Sequence, residues 1–168
     1  GRALKACDNI GRILEIVSMT LHALDEATQL TAVGDGRLAG VTSDAYWNFA
    51  GPFGGYVSAL FMKTVMIDPR RLGPPVAQTV NFCAAASKGR FEIAVTLQRS
   101  GKATQHWSLE MLQGDTVIAT ASIVCANRRE TFTHMTTAMP EVPRAETLQP
   151  LPANLRLPWL SSYDFRFV

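Results

Sequence analysis

The chain has 168 residues, 47% of them hydrophobic and 18% charged, with a formal net charge of +2 at neutral pH. That length supports one domain with a sizeable core, and the balance excludes a disordered chain. The small net charge gives no electrostatic case for nucleic acid, and no apolar run approaches the ~20 residues that a membrane span needs.

Residues 1–18 read as an N-terminal extension of upstream or added sequence. Ile10, Ile13, Leu14 and Val17 have helix-like spacing, but the apolar core and cleavage site of a secretory signal are missing. Met19 is a natural start, and no function is assigned before it. Residues 19–138 read as one domain. Asp35-Gly36 between short β-compatible runs predicts a hairpin within residues 28–42, because Asp-Gly supplies the positive φ values of a tight turn. Next comes NFAGPFGGYVSALF, residues 48–61. Its glycines lead into a helix over Tyr56 to Ile67, ended by Asp68-Pro69 and interrupted only by Ser58, Lys63 and Thr64. A helix so apolar belongs in a core.

Four runs with period-two alternation follow. Val76, Gln78, Val80, Phe82 and Ala84 share a face of the first. Phe91, Ile93, Val95 and Leu97 share a face of the second, and Trp107, Leu109 and Met111 oppose His106, Ser108 and Glu110 in the third. The fourth, Thr116 to Cys125, is apolar on both faces and reads as a central strand. Short glycine-bearing links at 87–89, 100–102 and 113–115 predict a four-stranded antiparallel meander. Cys83 and Cys125 fall in these runs and are expected as buried thiols in a reducing, cytoplasmic setting. No Cys/His spacing fits zinc, so neither a metal nor a cofactor is expected.

A sheet with one apolar face and a helix with almost no polar face are both satisfied when the sheet wraps the helix. The expected fold is therefore α+β, the hotdog arrangement. Residues 139–168 read as a linker holding five of the nine prolines, followed by SSYDFRFV, which alternates like the start of a second hotdog.

GPFGGYV at the helix start, TLQRSGKATQHWSLEMLQGDTVIATAS at 96–122 and the proline-rich linker resemble the N-terminal half of the acyl-CoA thioesterase II-like, double-hotdog family. The resemblance spans roughly residues 28–168 and implies an acyl-CoA thioesterase; the alternative is a non-catalytic module that binds acyl-CoA or assembles with a partner. A hotdog dehydratase would need a His on the active-site loop or helix, where Phe53 stands. Single-hotdog thioesterases of the phenylacetyl-CoA type carry an Asn, a Gly, then His-Gly-Gly ahead of a helix with an acidic residue. Asn48, Gly51, Gly54 and Gly55 stand in the corresponding places, with Phe53 replacing the His and Met62 the carboxylate.

Thioester hydrolysis needs donors for a developing oxyanion and a group that activates water or attacks. The N–H groups near Gly54, Gly55 and Tyr56, at the positive end of a helix, suit the first need; the same glycines also suit a plain tight corner. Asp44 and Asp68 are candidates for the base or for turn and cap residues. Thr79 and Gln78, with Asn81 beside them, have suitable chemistry but also suit the side of a ladder. In the family, an Asp, a Thr or Ser and a Gln of the C-terminal hotdog form the catalytic set, which does not transfer to this half. His106 is expected on the surface, and His22 and His134 outside the core. Arg128 and Arg129, with Arg70 and Arg71, are candidates for the coenzyme A phosphates or for solvated ends of elements. An apolar helix flank and an open sheet edge imply a homodimer or a second hotdog module, with the linker and YDFRFV crossing toward it.

Overall fold

The computed structural model describes residues 21–152 and 157–168; the reading of residues 1–18 lies outside them. Helix α1 (Ala23–Ala27) leads into strands β1 (Thr31–Gly34) and β2 (Arg37–Val41). Asp35 and Gly36 make the turn, with φ of 51° and 68°, as expected for this dipeptide. A 3₁₀ turn (Asp44–Tyr46) and a loop then deliver helix α2 (Gly54–Met66). Strands β3 (Pro75–Phe82), β4 (Arg90–Ser100), β5 (Thr104–Gln113) and β6 (Thr116–Ala126) follow.

All six strands form one antiparallel sheet in the order β1-β2-β4-β5-β6-β3. This corrects the expected four-stranded meander. Only β4-β5-β6 is a meander; β3 pairs with β6, from Pro75 opposite Cys125 to Phe82 opposite Ala119. Residues 83–89 make a crossing instead of a hairpin, and the backbone N–H groups of Cys83 and Ala84 donate to the Ile118 carbonyl. Cys83 therefore lies past the end of the strand and is exposed, contrary to expectation, while Cys125 is buried.

The sheet closes around α2. Leu60, Phe61 and Val65 of the helix are fully buried in one cluster with Ile93, Trp107, Leu109 and Ile123 of the strands. Each such aliphatic or aromatic side chain contributes roughly 1.5–3 kcal/mol by leaving water. The expected inner faces of β4 and β5 hold: Phe91, Ile93, Trp107, Leu109 and Met111 are buried, and His106 and Glu110 are exposed. Interior position in the sheet, between β5 and β3, accounts for the apolar character of β6.

Helix α2 ends where Pro69 disfavours continuation. Arg71 secures that end, donating from Nε to the Met66 carbonyl at 3.3 Å and from Nη1 to the Gly73 carbonyl at 2.7 Å. Gln105, buried at the adjoining end of β5, donates to the Arg70 carbonyl and accepts from the Leu72 N–H. Beyond β6 the chain runs exposed through residues 127–147. SSYDFRFV does not start a strand. Pro158–Ser162 form a 3₁₀ turn, and a lone bridge pairs Pro150 with Arg166.

Candidate functional site at the start of helix α2

The loop before α2 is closed at its base. Trp47 bridges Pro52, the Asn48 N–H donates to the Gly51 carbonyl at 2.8 Å, and the Phe53 N–H donates to the Tyr46 carbonyl at 2.7 Å. Phe53 occupies the N-cap position without a side-chain cap. Its carbonyl accepts from the N–H groups of Tyr56 and Val57 at 3.0 and 3.2 Å. The N–H groups of Gly54 and Gly55 have no acceptor among the described residues. Two free donors at the positive end of a 13-residue helix form an arrangement that stabilises developing negative charge.

Both glycines have close neighbours. A Cβ on Gly55 would sit 2.5 Å from Cε1 of Phe53, and one on Gly54 3.0 Å from the Phe82 ring. Asn48 lies in the same loop, and its Oδ1 is buried without a hydrogen-bond partner among the described residues. Tyr56 is committed elsewhere. Its N–H serves the first helical turn, and its buried hydroxyl donates to the Ala27 carbonyl at 3.0 Å. Burial pushes the Tyr56 phenol up to about 12. It anchors α1 to α2 and stacks on Tyr46, with ring centroids 5.3 Å apart.

The remaining sequence candidates lie elsewhere. Asp68 sits past the far end of α2, which at 13 residues is about 20 Å long. Its carboxylate accepts from the Arg70 backbone N–H at 2.8 Å and from Arg70 Nη2 at 2.7 Å. Those hydrogen bonds hold its pKa below the usual carboxylate range, which suits a turn lock and weakens a base. Thr79 is exposed on the outer face of β3, opposite Ser122. The inner face carries Gln78, whose Nε2 donates to the Ser58 carbonyl of α2 at 2.9 Å. Asn81 reaches Thr120 across the outer face. Arg128 and Arg129 are exposed beyond the end of β6 that pairs with Pro75, the same end of the molecule as Asp68.

Asp44 is near the loop but exposed, with its carboxylate 2.6 Å from Nζ of Lys88. His106 is exposed on β5, His134 is exposed beside Phe132, and His22 caps α1 by accepting from the Leu24 N–H. Among the described residues no group of three or more His, Cys, Asp or Glu is placed to hold a metal, and no helix is long and apolar enough to cross a membrane.

Sequence reasoning missed the aromatic cover on this site. Trp159 stacks on Phe53 with centroids 4.3 Å apart and planes inclined by 1°. The C-terminal residues thus pack on their own hotdog at this point through Trp159 and Tyr163.

The comparisons bear on this geometry. No curated protein matches the chain. A crystal structure of a protein of unknown function with a hot dog fold, from Alicyclobacillus acidocaldarius, is 39% identical over 88% of this chain and 55% of that one, with a TM-score of 0.83. The acyl-CoA thioesterase II TesB2 from Mycobacterium marinum is 18% identical over 79% of this chain and 54% of its own, with a TM-score of 0.63, a likeness that carries the fold. The chain thus spans about half the length of these two structures. The family model described as the acyl-CoA thioesterase N-terminal domain matches residues 43–126, half of the sequence, from the 3₁₀ turn before the glycine loop to the end of β6. With the helix-wrapping sheet and the glycine-led helix start inside those bounds, the chain belongs to the acyl-CoA thioesterase N-terminal domain family.

Proposed function

We propose that this chain is the N-terminal hotdog of an acyl-CoA thioesterase and that it receives the thioester carbonyl at the N–H groups of Gly54 and Gly55. One observation carries the reading: those two donors stand free at the start of a buried apolar helix, inside the segment matched by the family model. Asn48, with its buried Oδ1, supplies a further polar group in the loop. Among the described residues no acid or base of this half completes the site in this reading. Phe53 and Met62 replace the ionisable positions, Asp44 is held by Lys88, and Asp68 is at the other end of the helix. In this reading the water-activating groups come from a second hotdog.

That second module has a surface to meet. Val76 and Phe82 on the edge strand β3 are 57% and 60% exposed, and Met66 on the helix is 44% exposed. A long edge with exposed apolar side chains favours pairing. We assign it to a second hotdog, of the same chain or of a second copy. The free thiols of Cys83 and Cys125 suit a reducing, cytoplasmic setting.

The deciding experiment is an acyl-CoA hydrolysis panel on the full-length protein and on residues 1–168 alone. Hydrolysis by the former and binding without hydrolysis by the latter is expected. Full turnover by residues 1–168 alone would overturn the division of labour. Binding without hydrolysis by both would leave the acyl-CoA-binding module, the reading that the missing acid and base favour next.

A further inference from the structure

The C-terminal residues rest on the candidate site through aromatic contacts. Besides the Trp159 stack on Phe53, Tyr163 stands roughly edge-on to Phe53, Trp159 and Tyr46 at centroid distances of 6.0 to 6.4 Å. Their hydrogen bonds turn inward. Arg166 pairs with Asp164 and donates to the carbonyls of Ala145 at 2.8 Å and Leu148 at 2.9 Å, and the Leu151 N–H donates to the Phe165 carbonyl at 2.9 Å. Among the described residues, no hydrogen bond or ion pair joins residues 157–168 to residues 21–126. Among the described residues the indole Nε1 of Trp159 is buried without an acceptor, as is that of Trp107 in the sheet. A segment tied within itself and attached by apolar contact opens at lower free energy than the sheet beneath it.

We propose that Pro158–Phe165 form a cap that lifts off Phe53 while the sheet stays folded, and that the bared ring face receives the apolar acyl chain of the ligand. Phe53 directly precedes the two free N–H groups, so a chain attached to a carbonyl held there lies within reach of its ring. Phe49, on the same loop and 86% exposed, extends that apolar lip. The opening of the cap is independent of the reading given under Proposed function; the identity of the ligand rests on it.

The test uses the three indole N–H signals of the ¹⁵N-labelled chain, from Trp47, Trp107 and Trp159, with Trp159 assigned through a Trp159→Phe variant. Trp107, 1% exposed and in the middle of the sheet, reports sheet opening. The Trp159 indole should exchange with deuterium at least about tenfold faster than that of Trp107, as sub-global opening requires. Equal rates would overturn the cap. Octanoyl-CoA should then move the Trp159 signal and leave that of Trp107 in place. Calorimetric binding of octanoyl-CoA with the Trp159 signal unmoved would overturn the acyl-chain assignment. Fast Trp159 exchange with no octanoyl-CoA binding would uphold the cap and reject the acyl-CoA reading of the site.

Discussion

Whether a glycine tolerates a methyl group depends on what must yield. At Gly55 the obstacle is the Phe53 ring, which can turn at the expense of its stack on Trp159. At Gly73 it is the Ala126 backbone, with the carbonyl oxygen 2.5 Å from where a Cβ would stand. Gly55→Ala should therefore destabilise by about 1 kcal/mol and Gly73→Ala by about 3 kcal/mol, within the range for overpacking; chemical denaturation with unchanged m-values checks the order. Tyr56 gives a pH-dependent expectation. Its phenol titrates near 10 when unfolded and at about 12 when folded. Below pH 10 both states keep the proton and its contribution to stability is complete. As pH rises from 10 through 12, only the unfolded chain releases the proton at first, so that contribution is lost, by at most about 2–3 kcal/mol. Tyr56→Phe should cost about 1–2 kcal/mol at pH 7 by removing the bond to Ala27, and the gap to wild type should shrink across that alkaline window. Asp68→Asn should leave any hydrolysis by the full-length protein unchanged, since Asp68 locks a turn at the opposite end of α2 from the free donors. The residue chemistry of the site was only partly legible. Gly54 and Gly55 announce an unusual helix start, but a side chain's spare hydrogen-bonding capacity does not show in sequence, so Tyr56 read as a site residue although its groups are occupied.

Strands were legible wherever one face meets the core, as β4 and β5 illustrate by alternating residue by residue. Alternation says which face a residue takes and nothing about which strand lies alongside. A short glycine-bearing link after β3 therefore suggested β4 as neighbour, while the backbone of Cys83 and Ala84 turns to Ile118 and delivers β3 to β6. The C-terminal cap escaped for a related reason. Tyr163 and Phe165 alternate as in a strand, but alternation does not tell what the shared face meets, and ring stacking leaves no periodic trace. Between α2 and β3, the Gln78 side chain is a tie that the ladder does not provide. Gln78→Ala should lower stability by about 1 kcal/mol and raise amide exchange selectively in β3, measured by mass spectrometry.

At the scale of the whole molecule, the β3 edge and the α2 flank beside it carry exposed apolar side chains, Val76 and Phe82 among them. Gly54 meets Phe82, Ser58 meets Gln78, and Met62 lies one turn further along the same flank, half-buried. Residues 1–168 should self-associate at micromolar concentration in light scattering, and the pair Val76→Lys with Phe82→Lys should return them to monomer, because charge on an edge strand opposes pairing. The strand order also fixes a sequence of events in time. The chain makes α2 and β3 before any of the three strands that will shelter them, and β3 must wait for β6, whose Ala119 and Cys125 close its register with Phe82 and Pro75. Contacts between segments so far apart in sequence form late, after the local β4-β5-β6 pairings have offset part of the chain entropy. During synthesis the apolar helix α2 and strand β3 thus emerge before the strands that cover them, an interval in which they are natural clients for chaperones. In pulsed-labelling refolding, protection should appear in β4, β5 and β6 together and reach β3 in a later phase.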